Sequence, residues 1–188
     1  MNPYRRIIRW DWLLGLVCLW LARGWPAAAQ SGDSVGEYQV KAAFLYNFTQ
    51  FTDWPPSAFS ATNAPFVIGI VGEDPFGKTM DAVVSGEVVR GRPLVVKRMR
   101  ADEALRSCHV LFISRSEQER LPALLSQLKG SSALTVSDIN GFAQEGGMVN
   151  LLMVQKAVKL EINQAVAAEA GLQISAKLLK LARLTKSK

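Results

Sequence analysis

Two adjacent residues hold most of the reactive chemistry that this sequence offers, Cys108 and His109. His109 is the single histidine in 188 residues, and Cys108 is one of two cysteines, the other being Cys18. A Ser-His-Asp or Cys-His nucleophile pair needs an imidazole beside the nucleophile, and a zinc centre needs three or four thiolate or imidazole ligands. Cys108-His109 opens an apolar run, Val110 to Ile113, that reads as a buried strand. Successive strand residues point to opposite faces, so these two side chains cannot meet in one site. Any catalytic pair would have to be centred on His109, a metal cluster lacks its ligands, and no cofactor is expected. The thiol reads as a small buried hydrophobe rather than a reactive group, because His109 alone lends it a cationic neighbour.

The elements that must position these residues follow an export signal. Arg5, Arg6 and Arg9 precede a short apolar stretch, Leu13 to Ala22, and small residues stand before Ala29. This pattern predicts a secretory signal peptide, residues 1–29, cleaved after Ala29. A membrane anchor would need about 20 apolar residues, and Arg23 ends this run early; Cys18 lacks the small residues that precede a lipid-modified cysteine. Cleavage removes four arginines and one aspartate, so the net charge falls from +6 to +3 over residues 30–188. A mildly basic exported domain whose cations do not interleave with aromatics is a poor nucleic-acid binder, and nothing after the signal is expected to insert in a membrane. With Cys108 alone after cleavage, no internal disulfide can form.

Residues 30–36 read as a flexible leader and residues 37–188 as one domain. From Glu37 to Thr52 the spacing predicts a helix, with Val40, Phe44, Phe48 and Phe51 as its core face and Glu37–Lys41 as an i,i+4 pair on another face. Trp54-Pro55-Pro56 stops it. Phe66 to Gly72 is apolar on both faces and predicts a central buried strand; a short helix near 78–84 and strands near 93–99, 108–114 and 132–137 follow. Ser116 and Glu119 form a capping box ahead of a helix on Leu121, Leu124, Leu125 and Leu128. Met148 to Val154 and Val158 to Ile162 form a hairpin turned at Gln155-Lys156, with Glu161 outward and the second strand at the sheet edge. Two helices end the chain, the second carrying Ile174, Leu178 and Leu181 opposite Lys177, Lys180 and Arg183. The fold class is therefore α/β: a single three-layer α/β/α domain with a mixed, mostly parallel sheet and a C-terminal β-hairpin followed by helices.

Two loops could hold a ligand. Gly69 to Gly77 lies between a strand and a helix, where amides can cradle an anion, but the glycine spacing does not fit a dinucleotide site and Glu73 and Asp74 repel phosphate, which favours a plain βα turn. Ser137-Asp138, near Phe142 and Gly146-Gly147, either lines a small pocket or caps the following turn, the second being the ordinary arrangement. The cations of the last helix read as a solvated face.

Seven blocks in order carry a wider resemblance: Glu37 to Phe48, Trp54-Pro55, Gly72 to Gly77, Cys108 to Ile113, Phe142 to Met148, Glu161-Ile162-Asn163, and Ser175 to Leu179. Over Glu37 to Leu184 the chain resembles the YfiR family of periplasmic proteins. The resemblance implies a non-enzymatic, periplasmic repressor that binds the periplasmic sensor domain of an inner-membrane diguanylate cyclase, keeping cyclic di-GMP and biofilm formation low, and that an outer-membrane lipoprotein sequesters. Such a switch needs only a difference in affinity between partners. Some relatives carry a cysteine pair flanking the Gly-Gly-Met motif; the equivalents here are Ala143 and Asn150, so a redox switch on that pair is not open to this chain. The partner surface is expected at Phe142, Glu145, Met148 and Asn150, with the neighbouring helix from Asn163 to Leu172. The alternative function is a periplasmic small-ligand sensor or carrier, and the oligomeric state stays open between monomer and homodimer.

Overall fold

The computed structural model describes residues 32–187, so the expected signal peptide and its cleavage point lie outside the described residues. The first element is helix α1, Gly32–Phe51, which leads into a two-residue strand, β1 (Thr52–Asp53). Then come β2 (Phe66–Val71), α2 (Lys78–Val84), β3 (Val88–Val89), β4 (Arg92–Met99), β5 (Val110–Ile113), α3 (Leu121–Leu128) and β6 (Leu134–Ser137). The chain closes with β7 (Val149–Val154), β8 (Ala157–Ile162), α4 (Gln164–Glu169), β9 (Gln173–Ile174), α5 (Ala176–Leu179) and β10 (Ala182–Leu184).

Among the described residues eight strands form one sheet in the order β3-β4-β2-β5-β6-β7-β8-β10, and β1 pairs with β9 apart from it. The centre, β4-β2-β5-β6-β7, is parallel throughout. Antiparallel hairpins bracket it, β3–β4 at one end and β7–β8 at the other, and β10 lies parallel to β8 outside the second. β2, β5 and β6 are buried on both faces, as parallel strands between two layers must be. One layer, built on α1, α2 and α4, packs Leu45, Phe48, Met80 and Ala167 against Ile68, Ile70, Phe112, Val136 and Leu160. The opposite layer packs Leu121, Leu124 and Leu128 of α3, with Phe142 from the loop before β7, against Val67, Val71, Leu111 and Ile113. The three-layer α/β/α expectation holds, with its mixed, mostly parallel sheet and terminal hairpin.

Several local expectations change. Helix α1 begins at Gly32, so residues 32–36 of the expected leader are helical. Its buried row is Lys41, Ala42, Leu45, Phe48 and Thr49, while Val40 and Phe51 are exposed. Both rows satisfy helical spacing; the sheet takes the one that carries Lys41. Ser116 does not cap a helix. Its Oγ accepts from the Glu73 amide at 2.9 Å, residues Arg115–Arg120 form a 3-10 turn, and α3 starts at Leu121 with Pro122 in its first turn, where a missing N–H costs nothing. β8 is covered by β10, so the edge is one strand further out. Glu161 is buried rather than outward: its Oε2 accepts from Gln144 Nε2 at 3.1 Å and its Oε1 lies 3.4 Å from Arg183. The expected last helix is four residues long, and Arg183 belongs to β10.

Candidate functional site

The carboxyl ends of β5 and β6 meet the second and third turns of α1 in a cluster of charges. Lys41 is wholly buried, and its Nζ donates to Asp138 Oδ2 at 2.6 Å and to Glu37 Oε1. Tyr38 donates its hydroxyl to the same Asp138 oxygen at 2.9 Å, and Arg115, just past β5, approaches it at 3.2 Å. Asp138 follows β6 directly and is 2% exposed, and its second oxygen, Oδ1, has no partner among the described residues. A buried pair, Lys41 and Asp138, is thus flanked by the half-buried Glu37 and the exposed Arg115, an arrangement in which the two desolvated charges depend on each other most. Burial and then the Asp138 charge drive the Tyr38 hydroxyl well above its ordinary range, so it serves as a donor. Asp138 was expected to cap the following turn; Ser137 does so instead, its Oγ accepting from the Ile139 amide at 3.1 Å. The Glu37–Lys41 spacing was visible in sequence, but the pair faces inward because Asp138 draws it there.

His109 occupies the other end of β5. Its amide donates to Val67 O at 2.9 Å, and its Nδ1 accepts from the Val67 amide at 3.0 Å, tying the imidazole to β2 from both sides. The ring stacks on Phe59 at 4.4 Å and lies 4.6 Å from Phe66, while Trp54 Nε1 donates to the His109 carbonyl at 3.1 Å. Burial pushes its pKa down to about 4, so the imidazole is neutral at ordinary pH. Nδ1 is engaged by Val67 and Nε2 faces the Ala58 backbone, so among the described residues no nucleophile shares a hydrogen bond with this ring. Cys108 points to the opposite layer, with Sγ 3.3 Å from Met99 Sδ, and burial raises its thiol to about 11. The two side chains diverge as strand geometry requires.

The loop after β2 is a closed βα turn. Asp74 Oδ1 accepts from the amides of Phe76 and Gly77 at 2.8 and 3.2 Å, and Arg98 bridges Asp74 and Asp81 at 2.7 and 2.8 Å. The amides that an anion would need are already used. Gly72 sits at φ +88, and a Cβ there would come within 2.4 Å of Ser116 Oγ. β2 is followed by β4 on one side and β5 on the other, so the ends of β2 and β5 mark the point where the strand order reverses. A broad open cleft of about 770 Å³ lies there, between Gly72, Arg100, Ser116 and Arg120.

The model of the YfiR/HmsC-like family matches residues 38–183, from the Tyr38 that binds Asp138 to the Arg183 of β10. The chain belongs to this family. No curated protein matches it. The family match spans the charged cluster apart from Glu37, the histidine stack and both hairpins, and no helix among the described residues is long and apolar enough to cross a membrane.

Most of the side chains named for the expected partner surface are interior, although the helix that belongs to it exposes Gln164, Ala165, Ala168 and Glu169. Phe142 is wholly buried and lies over Gly147, where any Cβ would come within 2.2 Å of its ring. The Met148 amide donates to Thr135 Oγ1 at 3.1 Å, and its side chain sits in the core with that of Leu172. Asn163 caps α4, accepting from the Val166 amide at 3.3 Å while its Nδ2 donates to Ala143 O at 2.9 Å. Asn150 stands opposite Ser137 and Glu161 in the sheet, wholly buried, with neither amide atom partnered among the described residues. Ala143, on the other side of the Gly-Gly-Met motif, is buried as well. Of the six residues only Glu145 is exposed. The Gly146-Gly147 turn is tight because Phe142 fills the space, so it presents no apolar side chain to solvent.

Proposed function

We propose that this protein is a periplasmic regulatory binding protein that represses an inner-membrane diguanylate cyclase by binding the cyclase's periplasmic sensor domain, and that an outer-membrane lipoprotein relieves the repression by sequestering it. The family match over residues 38–183 carries this reading. The state of the single histidine supports it, since a neutral, stacked imidazole with its Nδ1 committed to Val67 has no role in proton transfer. The protein acts through affinity alone, and its output is the cyclic di-GMP level.

The test is a pull-down from solubilised inner membrane with residues 30–188 as bait, read by mass spectrometry, beside cyclic di-GMP measured in cells with and without the gene. Recovery of a cyclase with a periplasmic sensor region, together with a rise in cyclic di-GMP on deletion, supports the reading. A folded bait that recovers no membrane protein, in cells whose cyclic di-GMP does not change, overturns it.

The cleft at the ends of β2 and β5 favours the second reading, a small-ligand sensor, because open α/β sheets bind ligands at this point. A metabolite that raises the thermal midpoint of the purified protein would identify that role.

A further inference from the structure

We propose that the terminal edge of the sheet, β10, is a docking site where an acidic, extended segment of a partner protein adds as a further strand. This rests on the reading that the protein acts by binding, and not on which cyclase it binds.

β10 pairs with β8 on one side, and no strand pairs with its other side among the described residues. The Thr185 amide donates to Ile162 O at 3.0 Å, so the amides of Arg183 and Thr185 face β8 and those of Ala182 and Leu184 face outward. An edge with free donors and acceptors is a template for another strand. The side chains around it are apolar where solvent would favour polar ones: Leu181 is 74% and Leu184 56% exposed. Next to it the β7–β8 hairpin runs on past its neighbours. β7 pairs with β6 only at Val149 and Asn150, and β8 meets β10 only from Leu160 onward. Leu151 to Lys159 therefore form a ribbon paired with itself, with Met153 and Val154 exposed near its tip.

Charge selects the occupant. Residues 152–159 and 176–186 contain Lys156, Lys159, Lys177, Lys180, Arg183 and Lys186 and no aspartate or glutamate. Arg183 is engaged by Glu161, whereas the five lysines are exposed and have no acidic partner among the described residues. Lysines on a sheet edge repel a second copy of the same edge. The same lysines attract a strand whose alternate residues are acidic. The apolar side chains between them supply contact area, and the outward amides fix the added strand as a strand.

The experiment uses the purified exported chain and a labelled twelve-residue peptide alternating valine or threonine with glutamate, its counterpart carrying lysine for glutamate, both read by fluorescence anisotropy at low salt. The acidic peptide is expected to bind and the basic one not to. Leu184→Pro removes an outward amide but spares the Thr185–Ile162 bond, a place where an edge strand tolerates proline; it should weaken binding about tenfold or more at an unchanged thermal midpoint. Lys180→Glu with Lys186→Glu should reverse the preference between the two peptides, and decides the matter on its own if the proline variant does not fold. Acidic-peptide binding that is absent, or unaffected by both variants, overturns the proposal. So does self-association blocked by Leu184→Pro, or binding confined to phosphatidylglycerol vesicles, since either gives the edge another occupant. In the membrane pull-down, a cyclase captured equally by wild type and by both variants overturns the proposed edge and leaves the repressor reading standing. The expected peptide pattern with no cyclase captured supports the edge and overturns the repressor reading.

Discussion

Lys41 and Asp138, 97 positions apart in the chain, meet at 2.6 Å with both side chains buried. The contact joins the first helix to the end of a central strand, and it does so in a space where neither charge has water as an alternative partner. Removing one member takes from the other its nearest buried charge, and because Lys41 keeps Glu37 while Asp138 keeps Arg115 and the Tyr38 hydroxyl, the cost of about 3–5 kcal/mol for a broken buried pair is a ceiling. Lys41→Met and Asp138→Leu are each expected to destabilise the fold by up to that amount, and the double variant by less than either alone. Urea denaturation of the four proteins measures the coupling.

His109 makes stability depend on pH in a defined window. Its pKa is near 6.5 when unfolded and about 4 when folded, so between these values the unfolded chain binds more protons and stability falls as pH drops. Above the unfolded value the contribution is complete; below the folded value it is gone, the whole amounting to about 3 kcal/mol. His109→Gln should flatten the dependence of the thermal midpoint on pH across this window. Identical slopes in the two proteins would place the titration elsewhere.

Gly147 has no side chain because Phe142 occupies the space. Gly147→Ala is expected to cost about 1–3 kcal/mol through overpacking, and Phe142→Leu, which shortens the intruding ring, should recover part of that loss when the two are combined. A double-mutant cycle by denaturation reads the recovery; strict additivity would mean that the turn yields by another route.

Cys108 is expected to stay unreactive in the folded protein. With its thiol raised to about 11 by burial, little thiolate exists at pH 8. A disulfide reagent should titrate no thiol in the native exported chain within minutes and one after denaturation. Rapid native labelling would show that the layer over Met99 opens.

Much of this architecture was legible from short apolar runs. Phe66 to Val71 and Val110 to Ile113 can hardly be other than buried strands, and Gln155-Lys156 between an apolar run and an alternating segment marks a hairpin whose turn residues indeed take positive φ, 48° and 63°. What escaped depends on contacts distant in sequence. Glu37 and Lys41 look like any solvated i,i+4 pair until Asp138 turns them inward. Ile174, Leu178 and Leu181 keep helical spacing, yet the chain past α5 is drawn into the sheet by pairing with β8, and Leu181 is left in solvent. The partner surface was sought at a glycine-rich turn because glycines suggest a hinge; here one of them makes room for a buried ring. Spacing reports which residues share a face, but not which face the rest of the molecule will cover.

The way α1 is held has a mechanical consequence. Along its first half, Tyr38 and Lys41 bind Asp138 at the carboxyl end of β6; past its end, β1 pairs with β9 and Trp54 bonds to the backbone at the opposite end of β5. The helix is clamped near its middle and just past its end, along the length of the parallel strands. Tension applied upstream of Glu37 would peel the turns before Tyr38 and then meet the ionic clamp, which passes the load to the middle of the sheet, so the half of the helix beyond Lys41 should detach last.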